Sequence, residues 1–156
     1  MKKISLLLLS ACMMLGMFTG CKQETKPVQY DFESLAAKLQ ESGAFSDILS
    51  PVELDIAAQF YGVDTADVTE SKVLCSTGAT TEEIGLFKCV SQEAAARVKT
   101  AADARVKSQR TTYESYAPGE MPKLDDAIVT INDVYVFYIV SADSSKVQTV
   151  LNNLNK

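Results

Sequence analysis

The run Val134-Tyr135-Val136-Phe137-Tyr138-Ile139-Val140 constrains the fold of this chain more than any other segment. A half-exposed strand alternates apolar and polar residues, whereas this one is apolar on both sides and reads as a central strand. Ala127 to Ile131 precedes it across Asn132-Asp133, a turn pair, so the two runs form a hairpin. A second pair of strand-like runs, Lys72 to Thr77 and Glu83 to Val90, is joined by Gly78-Ala79-Thr80-Thr81. Helical spacing fills much of the remainder. Asp31 caps a helix carrying Phe32, Leu35, Ala36 and Leu39, and Gly43 stops it. Ser50-Pro51-Val52-Glu53 has the form of a capping box with proline at the first helical position, and opens a helix bearing Leu54, Ala57, Ala58 and Tyr61. Ser91 caps an alanine-rich helix from Gln92 to Tyr113, with Val98, Ala102, Gln109 and Tyr113 along its inner stripe. Glu93/Arg97 and Asp103/Lys107 are spaced in it as i,i+4 ion pairs. Asp143 caps a last helix with Val147, Val150, Leu151 and Leu154. The order α-α-β-β-α-β-β-α predicts an α+β domain: an antiparallel sheet of about four strands in two hairpins, with helices packed on one face. Phe87, Val90, Ser91 and Glu93 recur fifty residues on as Phe137, Val140, Ser141 and Asp143, an echo that would fit two strand-strand-helix units.

The start of the chain bears on location. Lys2 and Lys3 precede the apolar run Ile4 to Phe18, which closes on Phe18-Thr19-Gly20-Cys21. A short basic start, an apolar stretch below membrane-spanning length and small residues before a cut site describe an export signal. A cysteine directly after the small residues resembles the lipobox of bacterial lipoproteins. That resemblance implies cleavage after Gly20, a diacylglyceryl group on the Cys21 thiol and a mature chain that starts as a lipidated cysteine, whose two or three acyl chains, of the palmitate kind, give stable anchoring. Leu9-Ser10-Ala11-Cys12 fits the consensus better, but cleavage there would leave an apolar segment about half the usual minimum length. After Cys21 the chain turns polar, Lys22-Gln23-Glu24-Thr25-Lys26-Pro27, as a tether should. The expected organisation is a signal peptide over 1–20, a lipidated cysteine and flexible tether over 21–29, and one α+β domain over 30–156. The expected location is the cell membrane, lipid-anchored and facing the extracytoplasmic side.

Removing residues 1–20 from 156 leaves 136, enough for one hydrophobic core, and takes two lysines from a net charge of −5, leaving −7. So acidic a chain without a basic cluster is not expected to bind nucleic acid. Histidine is absent, which removes Ser-His-Asp and Cys-His catalysis and the commonest transition-metal ligand. There is no phosphate-cradling glycine loop or paired CxxC motif, so neither cofactor nor metal is expected. With Cys12 in the signal and Cys21 carrying lipid, Cys75 and Cys89 remain as an even pair in a compartment that permits disulfides. A disulfide, worth about 3 kcal/mol by chain entropy, and two small buried thiols both fit their spacing.

Tyr61-Gly62-Val63-Asp64, the segment Gly78 to Phe87, Tyr113-Glu114-Ser115-Tyr116-Ala117-Pro118 and the Val134 to Val140 strand together resemble a family of small bacterial lipoproteins, most familiar from Gram-positive bacteria. That family is defined by domain of unknown function 4358. The resemblance covers Phe32 to Leu151 and implies no activity, ligand or catalytic residue. The family usually has alanine at Gly85; glycine inside a strand marks a bulge or a close approach.

Candidate ligand-binding residues are Thr77, Gly78, Thr80, Thr81 and Glu82, where backbone N–H groups and hydroxyls cluster, together with Tyr113 and Tyr116, whose rings suit a glycan or peptide. The same loop residues also suit an ordinary hairpin connection, with Gly78 at positive φ. Asp125 and Asp126, and Asp64 and Asp67, are acid pairs without calcium-loop spacing. No catalytic residue is singled out. The composition points to a non-enzymatic binding or envelope-associated lipoprotein, whose partners would be the membrane and an unidentified envelope protein, peptide or glycan. The alternative is a histidine-independent enzyme built on carboxylates and tyrosines, such as a cell-wall glycan hydrolase.

Overall fold

The structure, a computed structural model, describes residues 28–154. The signal segment, Cys12, Cys21 and most of the tether lie outside the described residues.

Helix α1 is Phe32–Glu41, capped by Asp31, whose carboxylate accepts from Ser34 N at 3.1 Å. Strand β1 (Ser50–Val52) leads into α2 (Leu54–Tyr61), which closes on Gly62 at φ 68°. A 3-10 turn at Thr65–Asp67 precedes β2 (Val68–Cys75), and β3 (Glu83–Cys89) returns alongside it. Helix α3 (Gln92–Tyr116) starts at Ser91, whose hydroxyl accepts from Ala94 N at 3.2 Å. A 3-10 turn at Pro118–Glu120, helix α4 (Met121–Asp125), strands β4 (Ile128–Asn132) and β5 (Tyr135–Val140) and helix α5 (Ser144–Asn152) complete the described chain. The sheet is antiparallel with order β1-β2-β3-β5-β4. The α+β class and both hairpins are as expected, with five strands for the expected four or so.

The fifth strand is a correction. Ser50-Pro51-Val52-Glu53, read above as a helix start, places Ser50–Val52 opposite Cys75, Leu74 and Val73 as an edge strand. An edge strand tolerates proline because its outward N–H is not needed. The helix begins one residue after Glu53, which makes no side-chain cap.

The helices cover both faces of the sheet, not one. α1 and α5 pack Phe32, Leu35, Leu39 and Val147 against Leu74, Ile84, Leu86, Phe137 and Ile139. α2, α3 and α4 pack Tyr61, Val98, Ala102 and Leu124 against Val73, Phe87, Val136 and Tyr138. The cause is visible in β5, all six of whose residues are buried: a strand apolar on both sides needs cover on both. Each large apolar side chain fully removed from water contributes about 1.5–3 kcal/mol, so neither layer is dispensable. Phe87 lies in the α3 layer and Phe137 in the α1 layer, so the fifty-residue echo does not superpose two like units.

The charges on α3 also pair differently from their spacing. Arg97 forks onto Asp67 (Nε 2.8 Å, Nη2 2.5 Å), and Asp103 takes Lys99 at 2.8 Å. Cys75 and Cys89 are free. Cys75 sits opposite Glu83 and Cys89 opposite Val68, so about 20 Å of strand separates them and no disulfide can form.

Candidate functional site

The connection from β2 to β3 is built as a short polar loop at one end of the sheet. Gly78 takes φ 91°, a conformation open to glycine, and Ser76 N bonds Glu82 O at 3.1 Å to close the loop. The Ser76 hydroxyl donates to Thr80 O at 2.6 Å. From the far end of α3, Tyr113 Oη lies 3.0 Å from both Gly78 O and Thr80 O, and the Tyr116 ring stands edge-on to it, 72% exposed. Thr81 N and Oγ1 donate to Glu120 at 2.9 and 3.2 Å. Thr77 Oγ1 donates to Asp47 at 3.1 Å. The structure thus brings Thr77, Gly78, Thr80, Thr81, Glu82, Tyr113 and Tyr116 to one end of the molecule. Most of their polar groups are taken up within the protein, by one another or by Asp47, Ser46, Glu120 and Lys123, and Tyr116 remains presented to solvent.

Glu82 holds this end together. Its carboxylate, buried, accepts from Ser46 N (2.8 Å), Ser46 Oγ (2.5 Å), Asp47 N (2.9 Å) and Lys123 Nζ (2.9 Å). Burial alone would raise its pKa, but the bonds from Ser46, Lys123 and Asp47 together hold it below the ordinary 4.5. Lys123 also pairs with Glu120 at 3.0 Å, so one ammonium serves two carboxylates. An acid satisfied by four donors is a tie between α4, the segment after α1 and β3. It has no free lone pair aimed at solvent.

The next residue makes a second, separate polar cluster under α3, which sequence periodicity alone did not assemble. Glu83, 1% exposed, accepts through Oε2 from Arg105 (Nη2 3.1 Å, Nε 3.3 Å) and Gln109 (2.9 Å). Tyr138 Oη in turn donates to Gln109 Oε1 at 3.2 Å. Glu83 Oε1 and Tyr61 Oη are buried and neither makes a hydrogen bond of normal geometry, although the Glu83 carboxylate interacts with the Tyr61 phenol and the Cys75 thiol. Burial first, and the Glu83 charge second, push the Tyr61 phenol well above its ordinary value and the Cys75 thiol up to about 12. Arg105 keeps its proton: burial works against it, and the Glu83 charge and hydrogen bond, together with the Tyr138 and Tyr61 phenols, outweigh that. The guanidinium also lies over the Phe60 and Tyr61 rings at 5.4 and 5.8 Å. A phenol and a thiol held protonated inside a packed layer are poor nucleophiles and poor bases at neutral pH. The signal for this cluster was Gln109, a polar residue on the buried stripe of α3.

Gly85 explains its own presence here. Its strand runs without irregularity, so no bulge is involved; the β2–β3 irregularity lies between Val68 and Glu70. A Cβ at 85 would stand 2.7 Å from Tyr61 Oη and 3.0 Å from Phe87 Cε2. The glycine admits the Tyr61 ring, which is wedged edge-on between Phe87 (5.3 Å) and Tyr138 (5.2 Å).

The two aspartate pairs do not converge on a ligand. Asp64 caps the 3-10 turn by accepting from Ala66 N, Asp67 holds Arg97, and Asp125 pairs with Arg110. Among the described residues no group of three or more cysteines, aspartates or glutamates is placed to hold a metal ion.

Residues 41–141 match the family model described as Domain of unknown function (DUF4358), more than half of the chain. The chain belongs to that family. No curated protein and no solved structure matches it.

Proposed function

We propose that this member of the family is a lipid-anchored extracytoplasmic domain that binds a cell-envelope protein, peptide or glycan and performs no catalysis. The single observation that carries the non-catalytic reading is the state of its buried acids. Glu82 is saturated by four donors, and Glu83 is sealed under α3 against Arg105 and Gln109. A glycan hydrolase built on carboxylates needs two of them free to reach one substrate.

The anchoring reading rests on the leader and on where the chain enters the fold. Tyr30 packs edge-on against Tyr135 and Phe137 at 4.9 and 5.1 Å, beside the β4–β5 turn. Tyr135 pairs with Lys88, whereas Val140 at the other end of β5 pairs with Glu83. A tether leaving at Tyr30 therefore starts at the opposite end of the strands from the β2–β3 loop with Tyr113 and Tyr116, which suits display away from a membrane. Among the described residues no helix is long and apolar enough to cross a membrane, so the acyl chains would supply the affinity.

Cell fractionation of Cys21→Ser beside Cys12→Ser tests the anchor. Release of the Cys21 variant alone is expected; release of the Cys12 variant with retention of the Cys21 variant would mean the other cysteine is acylated. Turnover of a glycan or peptide substrate by the purified protein, abolished by changing one carboxylate, would reverse the non-enzymatic reading.

A further inference from the structure

We propose that the free edge of β4 is a strand-addition site for an extended, apolar segment of a partner protein that carries a lysine or arginine at each end. This rests on the reading of the protein as a binding domain and names the partner's chemistry.

Among the described residues β4 ends the sheet and pairs only with β5. The two are joined by Asp133-Val134, with Asn132 opposite Tyr135. Residues flanking a two-residue turn form a hydrogen-bonded pair and the pattern then alternates. Ile128, Thr130 and Asn132 therefore bond β5, while Val129 and Ile131 turn their N–H and C=O outward. The opposite edge is protected, since β1 is three residues long with Pro51 at its centre. β4, Ile-Val-Thr-Ile-Asn, has no proline and no charge to discourage pairing.

Open grooves flank the edge on both faces. One, about 270 Å³, runs between Ile128, Thr130, Tyr30, Leu151 and Leu154. The other, about 390 Å³, lies between Val129, Ala127, Leu124 and Val106 on the α3 side. An added strand sends alternate side chains to opposite faces, so the backbone edge and two grooves match what strand addition requires.

Charge selects the occupant. Asp125 is paired with Arg110 and Asp103 with Lys99. Asp126 at the start of the strand has no ion pair among the described residues, and Asp133 at its end accepts only the Gln92 amide, at 2.7 Å. Lys107 rims the α3-side groove and disfavours a basic residue there. Antiparallel pairing with a second copy about Thr130 would set Asp126 close to the other Asp133, a like-charge contact. A segment with a cation at each end turns both carboxylates to advantage.

The test uses the full-length chain in detergent and fluorescent nine-residue peptides of alternating valine and threonine, ended with lysine or with glutamate, followed by anisotropy. The lysine-ended peptide is expected to bind about ten-fold more tightly than the glutamate-ended one, two surface charge pairs being involved. Asp126→Lys with Asp133→Lys should invert that order. Ile131→Pro removes an outward N–H and should abolish binding. A lysine-ended peptide N-methylated at every second residue should also fail, and it requires no folded variant. Equal binding of the N-methylated peptide, or no binding of the lysine-ended one, overturns the proposal. So does a dimer that Ile131→Pro dissolves, which would make a second copy the occupant. Slow amide exchange at Val129 and Ile131 in the peptide-free monomer overturns it too, since the chain itself would then cover the edge. The titration reads the edge whether or not Cys21 is acylated, so its failure leaves the anchor to the fractionation.

Discussion

Replacing Gly85 with alanine would place a methyl group where the Tyr61 hydroxyl stands. The added Cβ lies 2.7 Å from Oη and 3.0 Å from Phe87 Cε2, and the Tyr61 ring cannot swing aside because Phe87 and Tyr138 hold both its edges. Forcing one methyl into a filled layer costs about 1–3 kcal/mol. Against this, alanine in a strand interior recovers about 0.5–1 kcal/mol of the backbone entropy that glycine loses. The net expectation for Gly85→Ala is a destabilisation of about 1–2 kcal/mol, or roughly 3–8 °C in Tm for a domain of this size. Tyr61→Phe removes the colliding oxygen, a buried hydroxyl that interacts with the Glu83 carboxylate without a hydrogen bond of normal geometry, and should cost no more than about 1 kcal/mol alone. In the Tyr61→Phe background the alanine should then cost clearly less, the contact to Phe87 remaining, with a coupling of about 1 kcal/mol across the four proteins. Urea unfolding followed by circular dichroism measures all four. A cost for Gly85→Ala that is the same with and without the Tyr61 hydroxyl would refute the steric reasoning, as would a stabilised single variant.

Two further outcomes follow from the polar clusters and the cysteines. The Glu82 carboxylate is held below its ordinary pKa, so its contribution is complete above about pH 4.5 and is lost as pH falls through the depressed value. Glu82→Gln should lower stability by about 2–3 kcal/mol at neutral pH, by breaking the buried pair with Lys123, and flatten the acid limb; unchanged acid sensitivity would contradict the assignment. For the thiols, Cys75 and Cys89 should label equally with and without prior reduction once the chain is unfolded. In the native state both should label slowly, since burial pushes them up to about 12 and about 11; a reductant-dependent gain at either would refute their free state.

Local periodicity made much of the fold legible. Asp31, Ser91 and Asp143 cap the helices they were expected to cap, and the apolar run through Phe137 and Tyr138 is a central strand. Ser50–Val52 was not legible because its capping signature is local, while its pairing with Val73 to Cys75 is set by a strand twenty residues away. The disposition of the helices over both faces was implicit in the two-sided apolarity of β5, but which helix took which face is decided by tertiary packing. At the loop, composition marked Thr77 to Glu82 and Tyr113. The acids that Lys123 and Arg105 hold could not be assigned, because each pair joins elements brought together only by folding. Arg97 likewise preferred Asp67, thirty residues away, to the Glu93 one helical turn before it.

Glu82 and Glu83 are neighbours in sequence with separate sets of partners, each turned toward a cation from a different helix. This makes the alignment of β3 self-checking during folding. Slid one residue in one direction, the strand would present Ile84 to Arg105 and Gln109 and push Leu86 into the slot under Tyr61. Slid the other way, it would offer Thr81 to Lys123 and force Ile84 into that same slot. Either misthreading leaves a half-buried cation facing an uncharged side chain and drives a branched residue into space that only a glycine fits. The correct threading is the one in which both errors vanish together, so two adjacent acids and one glycine separate the native sheet from its nearest competitors.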